Sequence, residues 1–436
     1  MNQELENLIR KHYQENFANK KIVPGKNTIP ASGKFFGAEE LVAMTQAVLE
    51  GWWTEGRYAE EFENKFAGWL GVKYCTTTNS GSSANLIAVA ALTSFRLGEK
   101  RLKPGDEVIT IAAGFPTTVN PLIVNQLVPV FVDIEIETLN IKADDLEKAV
   151  SQKTKAVILP HNIGNAFNLK AVKALCEKRQ LWLIEDCCDA LGTTYDGKLV
   201  GTFGDLATFS FYAGHHMAMG EGGAVVTSDE FLNRIVRSVR DWGRDCQCKT
   251  GHDNTCGKRF VWKLGDLPEG YDHKFIFSEI GYNLRITDIQ AALGLVQLEK
   301  LPIFTQRRKD NFSYLLNKLK EFEKYFILPK AENLSEPSWF GFYLTLKPNC
   351  PFKRFDLVQF LETNKILTRL ILAGNLCRQP YFLNYNVKYR KADNLANTDI
   401  VMNNSFWVGC YHGLNKEHME YIYQNIKKFI DQYDDR

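Results

Sequence analysis

Two adjacent histidines, His215 and His216, lie in the stretch TFSFYAGHHMAMGEGG, residues 208–223. Imidazole exchanges protons near neutral pH, so a histidine in such a turn is a candidate base. Upstream, the apolar run LWLIED ends in Asp186 and is followed by Cys187, Cys188 and Asp189. A carboxylate closing a central strand stands where open α/β sheets bind ligands, although the same residue would also serve as a helix N-cap. Ser80-Gly81-Ser82-Ser83-Ala84-Asn85 joins a β-branched run to the apolar LIAVAALTSF. Free N–H groups at a helix N-terminus, with the small hydroxyls of Ser82 and Ser83, can cradle a phosphate; simple helix capping is the competing use.

Cysteines form the other constellation. Cys246, Cys248 and Cys256 fall in the polar stretch DWGRDCQCKTGHDNTCGKR. Cys188 can complete a set of four, because residues two apart at a strand end point to one side, roughly 7 Å from each other. Cys187 would point away, unless a turn beginning there reverses the choice. The intervals from Cys188 are 57, one and seven residues. Four thiolates suit zinc or an iron–sulfur cluster, and the spacing does not choose between them. Cys75, Cys176, Cys350, Cys377 and Cys410 stand singly and read as packing residues.

Positioning these groups requires a sheet. Between residues 73 and 228, seven short apolar runs (KYCTTT, EVITIAA, VPVFVDI, AVILPHN, LWLIEDC, LATFSFY and GAVVTS) alternate with helical stretches such as ADDLEKAVSQ and LKAVKALCEKRQ. Runs without polar alternation suit a mostly parallel sheet covered on both faces by helices. A long helix broken near Pro302 is expected across ITDIQAALGLVQLEKLPIFTQRRKDNFSYLLNKLKEF. The strand FGFYLTLK, a helix around FDLVQFLETN and the amphipathic HMEYIYQNIKKFIDQY then suggest a smaller C-terminal α+β domain. The division expected is a helical arm over 1–30, a large α/β domain over 31–290 carrying a cysteine-bearing insertion at 243–280, and a connector helix with the small domain over 291–436.

With 53 basic and 51 acidic residues in 436, no net field draws the chain toward nucleic acid or an anionic membrane. The polar start and the lack of a long apolar span point to a cytoplasmic protein, where ten cysteines stay reduced and do not form a disulfide framework.

The segment Phe209-Ser210 through Gly220-Glu221-Gly222-Gly223 resembles the fold type I aminotransferases that act on nucleotide-linked keto-sugars. There a strand ending in Phe-Ser is followed by a Schiff-base lysine and a Gly-Glu-Gly-Gly turn. Five residues after Ser210 and six before Glu221, the lysine position falls on His215. The resemblance implies the fold of the pyridoxal phosphate-dependent transferases of type I. Asp186 would pair with the pyridine nitrogen, Phe115 would stack on the ring, and Ser210 would bind the phosphate. Asn283 would reach the phosphate of a neighbouring subunit in a homodimer. An imidazole cannot form the lysine adduct, so pyridoxamine phosphate becomes the expected working cofactor and His215 its general base, with His216 as nearer rival or support.

Together with the cysteines, this is similar to the CDP-4-keto-6-deoxyglucose 3-dehydrases of 3,6-dideoxyhexose biosynthesis, a group with a 2Fe-2S cluster. SGKFFGAEEL and TRLILAGNLCRQPYF carry the same resemblance, the latter in the sugar-nucleotide site. The activity implied by this likeness is removal of a C3 hydroxyl from a nucleotide-linked 4-keto sugar, with electrons from an NAD(P)H-dependent flavin or iron–sulfur reductase docking near the cysteine loop. Tyr212 and Asp189 would tune proton transfer. Two alternatives stand beside it: a cluster-free GDP-4-keto-6-deoxymannose 3-dehydratase that regenerates its amine from glutamate, and a non-catalytic zinc-bearing protein on an aminotransferase scaffold.

Overall fold

The computed structural model describes residues 1–248 and 250–434. All seven runs become strands: β1 Tyr74–Thr78, β2 Glu107–Ile111, β3 Val128–Val132, β4 Thr154–Pro160, β5 Trp182–Asp186, β6 Leu206–Ser210 and β7 Gly223–Thr227. They lie in the order β1-β7-β6-β5-β4-β2-β3, and Arg390–Lys391 adds a short eighth strand beside β3. Only β7 runs antiparallel to its neighbours. Every residue of β2, β6 and β7 is buried, which is why these segments carry no polar alternation.

Asp288–Leu319 is one helix of 32 residues with Pro302 inside it, so the expected break is absent. Proline removes one N–H donor and crowds the preceding turn, a loss of about 3 kcal/mol. Pro302 itself is exposed, and burial of Leu298, Leu301 and Phe304, together with packing of the long helix against the helices Ala38–Leu49, Arg57–Leu70 and Lys416–Asp434, offsets that loss. The segment ADDLEKAVSQ shrinks to a 3-10 turn, Ala143–Asp145, and one α-turn, Leu146–Ala149. So short a piece gains too few hydrogen bonds to repay nucleation.

A second sheet of four antiparallel strands joins Phe326–Ile327, Phe342–Leu346, Ser405–Val408 and Thr368–Arg369. The helices Arg354–Thr363 and Lys416–Asp434 belong to the same C-terminal part. At the other end of the chain, the helix Gln3–Tyr13 runs into a π-turn, Gln14–Ala18. Among the described residues of 243–280, regular structure is limited to the turn His273–Phe275. No helix among the described residues is long and apolar enough to cross a membrane.

Candidate active site

A cavity of about 440 Å³ opens where β4, β5 and β6 end, beside the N-terminus of the helix Gly81–Leu92. Ser82, Phe115, Asp186, Cys188, Asp189, Ser210, Tyr212 and His215 all line it. Chain segments far apart in sequence therefore converge as expected from their motifs.

At one end, Ser80 caps the helix, accepting from Ser83 N at 3.1 Å and donating its hydroxyl to Ser83 Oγ at 3.0 Å. Ser83 thus takes part in the cap and is not among the residues lining the cavity. Ser82 does face it, with its hydroxyl on Thr117 Oγ1 at 3.1 Å. A Cβ on Gly223 would fall 2.4 Å from the Ser80 carbonyl, so the Gly-Gly turn is what lets β7 pass this close to the helix start.

The floor is Asp186. Its Oδ2 accepts from Asn85 Nδ2 at 2.8 Å and Thr118 Oγ1 at 2.7 Å, and its Oδ1 accepts from Cys188 N at 3.1 Å. Asn85 is itself oriented by the Thr208 hydroxyl at 2.6 Å. All these donors are neutral, and no basic side chain among the described residues forms an ion pair with the carboxylate. A buried carboxylate so held suits a cationic ring nitrogen. Phe115, half exposed at the start of the helix Pro116–Val124, offers a flat wall beside it.

His215 Nδ1 lies 2.8 Å from the Cys188 carbonyl and 3.5 Å from Asp189 Oδ1. A carbonyl only accepts, so Nδ1 carries the proton and Nε2 keeps the free lone pair of a base. Burial pushes the imidazole down to about 4. Burial, reinforced by Asp186, pushes Asp189 up to about 7. His216 points elsewhere: it is fully buried, outside the cavity lining, with Nε2 on the Ser338 carbonyl at 2.6 Å.

Asn283 is exposed and does not line this cavity; its backbone bridges Asp241. Cys246, Cys248 and Cys256 line a separate recess together with Arg259 and His273. Cys248 N donates to Cys246 Sγ at 3.4 Å, and a hydrogen bond with Thr255 holds the Cys248 thiol down to about 7. Cys188, by contrast, faces the first cavity, where burial and the Asp186 carboxylate raise its thiol well above the ordinary range. Cys187 is fully buried beside the Glu185 carbonyl, so strand alternation separates the pair as expected. The four-cysteine ligand set is nevertheless not assembled among the described residues of this chain: three thiols share one recess and the fourth lies in another cavity.

No single residue on the far wall was legible in the sequence. Ser32, Phe340, Arg369 and Trp407 form it, brought from the segment after the N-terminal arm and from the second sheet. The signal was present only at segment level, in SGKFFGAEEL and TRLILAGN, which hold Ser32 and Arg369.

His215, His216 and His412 are all lowered below the ordinary 6.5, burial being the main cause. The folded chain then binds fewer protons than the unfolded one, so their contribution is full above pH 6.5 and fades as pH falls below it, by up to about 1.4 kcal/mol per unit for each group. His412 stacks on Phe304 at 4.0 Å, and its Nδ1 has no hydrogen-bond partner among the described residues. His412→Phe should keep the stack and lessen the fall in Tm between pH 6.5 and 5.5. Parallel Tm curves for variant and parent would refute this.

Residues 36–427 match the DegT/DnrJ/EryC1/StrS aminotransferase family. The chain is 54% identical to the lipopolysaccharide biosynthesis protein RfbH of Salmonella typhimurium, over 99% of this chain and 98% of that one. It is 48% identical to the dTDP-4-dehydro-2,6-dideoxy-D-glucose 3-dehydratase of Saccharopolyspora spinosa, over 94% and 88% of the two. Among solved structures, the E. coli GDP-4-keto-6-deoxy-D-mannose 3-dehydratase with bound hydrated PLP superposes with a TM-score of 0.83 at 32% identity, covering 92% of this chain and 99% of that one. The chain has the fold of the type I pyridoxal phosphate-dependent transferases and belongs to the DegT/DnrJ/EryC1/StrS aminotransferase family.

Proposed function

We propose that this chain is a pyridoxamine phosphate-dependent 3-dehydratase, removing the C3 hydroxyl of a nucleotide-linked 4-keto-6-deoxyhexose. One observation carries the reading: among the described residues no lysine lines the cavity, and an imidazole with a free Nε2 stands in its wall. Bound there, the cofactor supplies an amine that condenses with the keto group and a ring that takes up electrons. The residues fit it: the Gly81–Leu92 helix start with Ser82 and Ser210 for the phosphate, Phe115 for the ring face, and the Asp186 carboxylate for the ring nitrogen. His215 moves a proton through Nε2 while Cys188 and Asp189 hold the opposite edge of its ring. Tyr212 borders the same space, where it and Asp189 tune that proton transfer.

Complete deoxygenation of the sugar consumes two electrons. The reading assigns their delivery to a 2Fe-2S cluster and an NAD(P)H-dependent flavin or iron–sulfur reductase near the cysteine loop, on the strength of the resemblance to the 3-dehydrases and of the three thiols gathered there. CDP is the expected nucleotide, the cytoplasm the expected compartment, and a homodimer the expected assembly, with the partner subunit's Asn283 completing the phosphate site. A panel of CDP-, dTDP- and GDP-4-keto-6-deoxy sugars, assayed with and without reductase, tests this. Reductant-dependent loss of the C3 hydroxyl from the CDP sugar supports the reading; amino transfer to any of them without deoxygenation ends it.

The cluster-free reading, with glutamate restoring the amine, gains from the separation of Cys188 from the other three cysteines and from the likeness to the E. coli enzyme. Cys248→Ser decides between them. If a cluster sits there, the variant should lose iron, labile sulfide and net deoxygenation, because a hydroxyl replaces a soft thiolate poorly. Solvent label should still enter the sugar. Full turnover by the variant would remove the cluster from the proposal.

A further inference from the structure

Arg308, on the helix Asp288–Leu319, is fully buried, and among the described residues it forms no ion pair with a carboxylate. Its two terminal nitrogens donate to backbone carbonyls instead: Nη2 to His215 at 3.0 Å, Nη1 to Trp339 at 3.0 Å and to Phe340 at 3.1 Å. Burying a cation is costly, and a core position with no more than packing to do would be filled by an apolar residue. Here the three acceptors flank one object. His215 supplies the backbone of the candidate base, and the Phe340 ring lies 5.1 Å from that imidazole on the cavity wall.

The neighbouring contacts point the same way. Trp339 stacks on Phe312, one turn further along the same helix, at 3.8 Å and 2°. His216 reaches across to the Ser338 carbonyl. Residues 215–216 and 338–340, separate in sequence, are thus tied to each other and to one helix. With the backbone of His215 held by Arg308 and Nδ1 held by Cys188, the direction of Nε2 is fixed from both ends. A planar fork of N–H donors can serve three carbonyls on two strands of chain, whereas an ammonium on a flexible stem holds fewer of them in place.

We infer that Arg308 is a positioning residue for the reaction: it holds His215 and the facing Phe340 at the separation that proton transfer requires. The inference rests on the proposed role of His215 as base. Arg308→Lys keeps the charge and Arg308→Gln keeps a planar donor, and whichever of the two folds with parental cofactor content carries the test. Turnover should fall by ~10- to 10²-fold with KM changed less than about threefold, the scale expected when a reacting group is misplaced by an ångström or less. The same substitution is then made in the His215→Asn background and followed in single-turnover reactions. If Arg308 acts through His215, it should cost nothing further there. A role in folding alone predicts an equal additional loss in both backgrounds. Parental turnover by the folded Arg308 variant, or the same loss with and without His215, would overturn the inference. Full activity of His215→Asn by itself would instead strike the proposed base.

Discussion

His215→Asn should lower turnover by ~10²- to 10⁴-fold, the contribution typical of a positioned general base, while cofactor affinity stays near that of the parent. The amide is close in size to the imidazole it replaces. It can still donate to the Cys188 carbonyl, and it leaves Asp186, Phe115 and Ser82 untouched. What it lacks is a basic lone pair at the position of Nε2. The lysine substitution reverses the chemistry. His215→Lys places a primary amine in the wall of the same cavity, so the variant should bind pyridoxal phosphate covalently, turn yellow and be fixed by borohydride. Deoxygenation should drop sharply, because the cofactor is then held as the aldehyde. A colourless His215→Lys protein, or a His215→Asn protein as fast as the parent beside a slow His216→Asn, would move the base to the neighbouring histidine.

Asp186→Asn should have the next largest effect. The carboxylate accepts three hydrogen bonds, from Asn85, Thr118 and Cys188, and an amide has one oxygen to offer and a pair of donors in place of the other. Either the Asn85 amide and the Thr118 hydroxyl or the Cys188 N–H then faces a donor. Removal of the negative charge also ends the charge-assisted contact available to a ring nitrogen. A contact of that kind contributes roughly 1.5–3 kcal/mol, so cofactor affinity should weaken by ~10- to 10²-fold, and turnover at saturating cofactor should fall as well. Fluorescence titration with pyridoxamine phosphate measures the first and single-turnover assays the second. Unchanged affinity would show that Asp186 does no more than cap its loop.

How much of the molecule was legible in its sequence depends on the range of the forces involved. Strands β2, β6 and β7 are short apolar runs whose lack of alternation reports burial on both faces, a property each segment carries by itself. Asp186 and Cys188 sharing a side, with Cys187 turned away, reflects strand geometry continued past the strand end. Local rules fail where a distant element decides. Ser82 and Ser83 are alike in composition, and only the use of Ser80 as cap draws the second of them into the capping contacts. Pro302 reads as a stop, yet it lies on the exposed side of a helix that packs against three others along its length, and that helix stays continuous. Phe340 and Trp407 carry no motif; they reach the cavity because the second sheet packs there. The cysteine quartet was read from three clustered cysteines and from the side Cys188 takes at its strand end, and neither local feature carries the path of residues 189–245 between them.

The long helix also limits how relatives can be recombined. Near its start Asp288 accepts from Gly56 N at 2.7 Å and Ala59 N at 3.1 Å, fastening the helix Arg57–Leu70. Farther along, Arg308 grips His215, and one turn later Asn311 Nδ2 donates to the carbonyls of Cys410, Tyr411 and Leu414. A chimaera that takes its C-terminal third from a relative in order to change the sugar accepted, with its crossover inside residues 288–311, would join half a helix fitted to one amino-terminal part with half fitted to another carboxy-terminal part. Crossovers placed before Thr287 break the grip on Gly56 and Ala59, and crossovers placed after Leu319 break the grip on the loop that follows the final strand. Exchange of substrate range between members of this family should therefore succeed by replacing wall residues such as Arg369 and Trp407 one at a time, and fail by transplanting the segment that carries them.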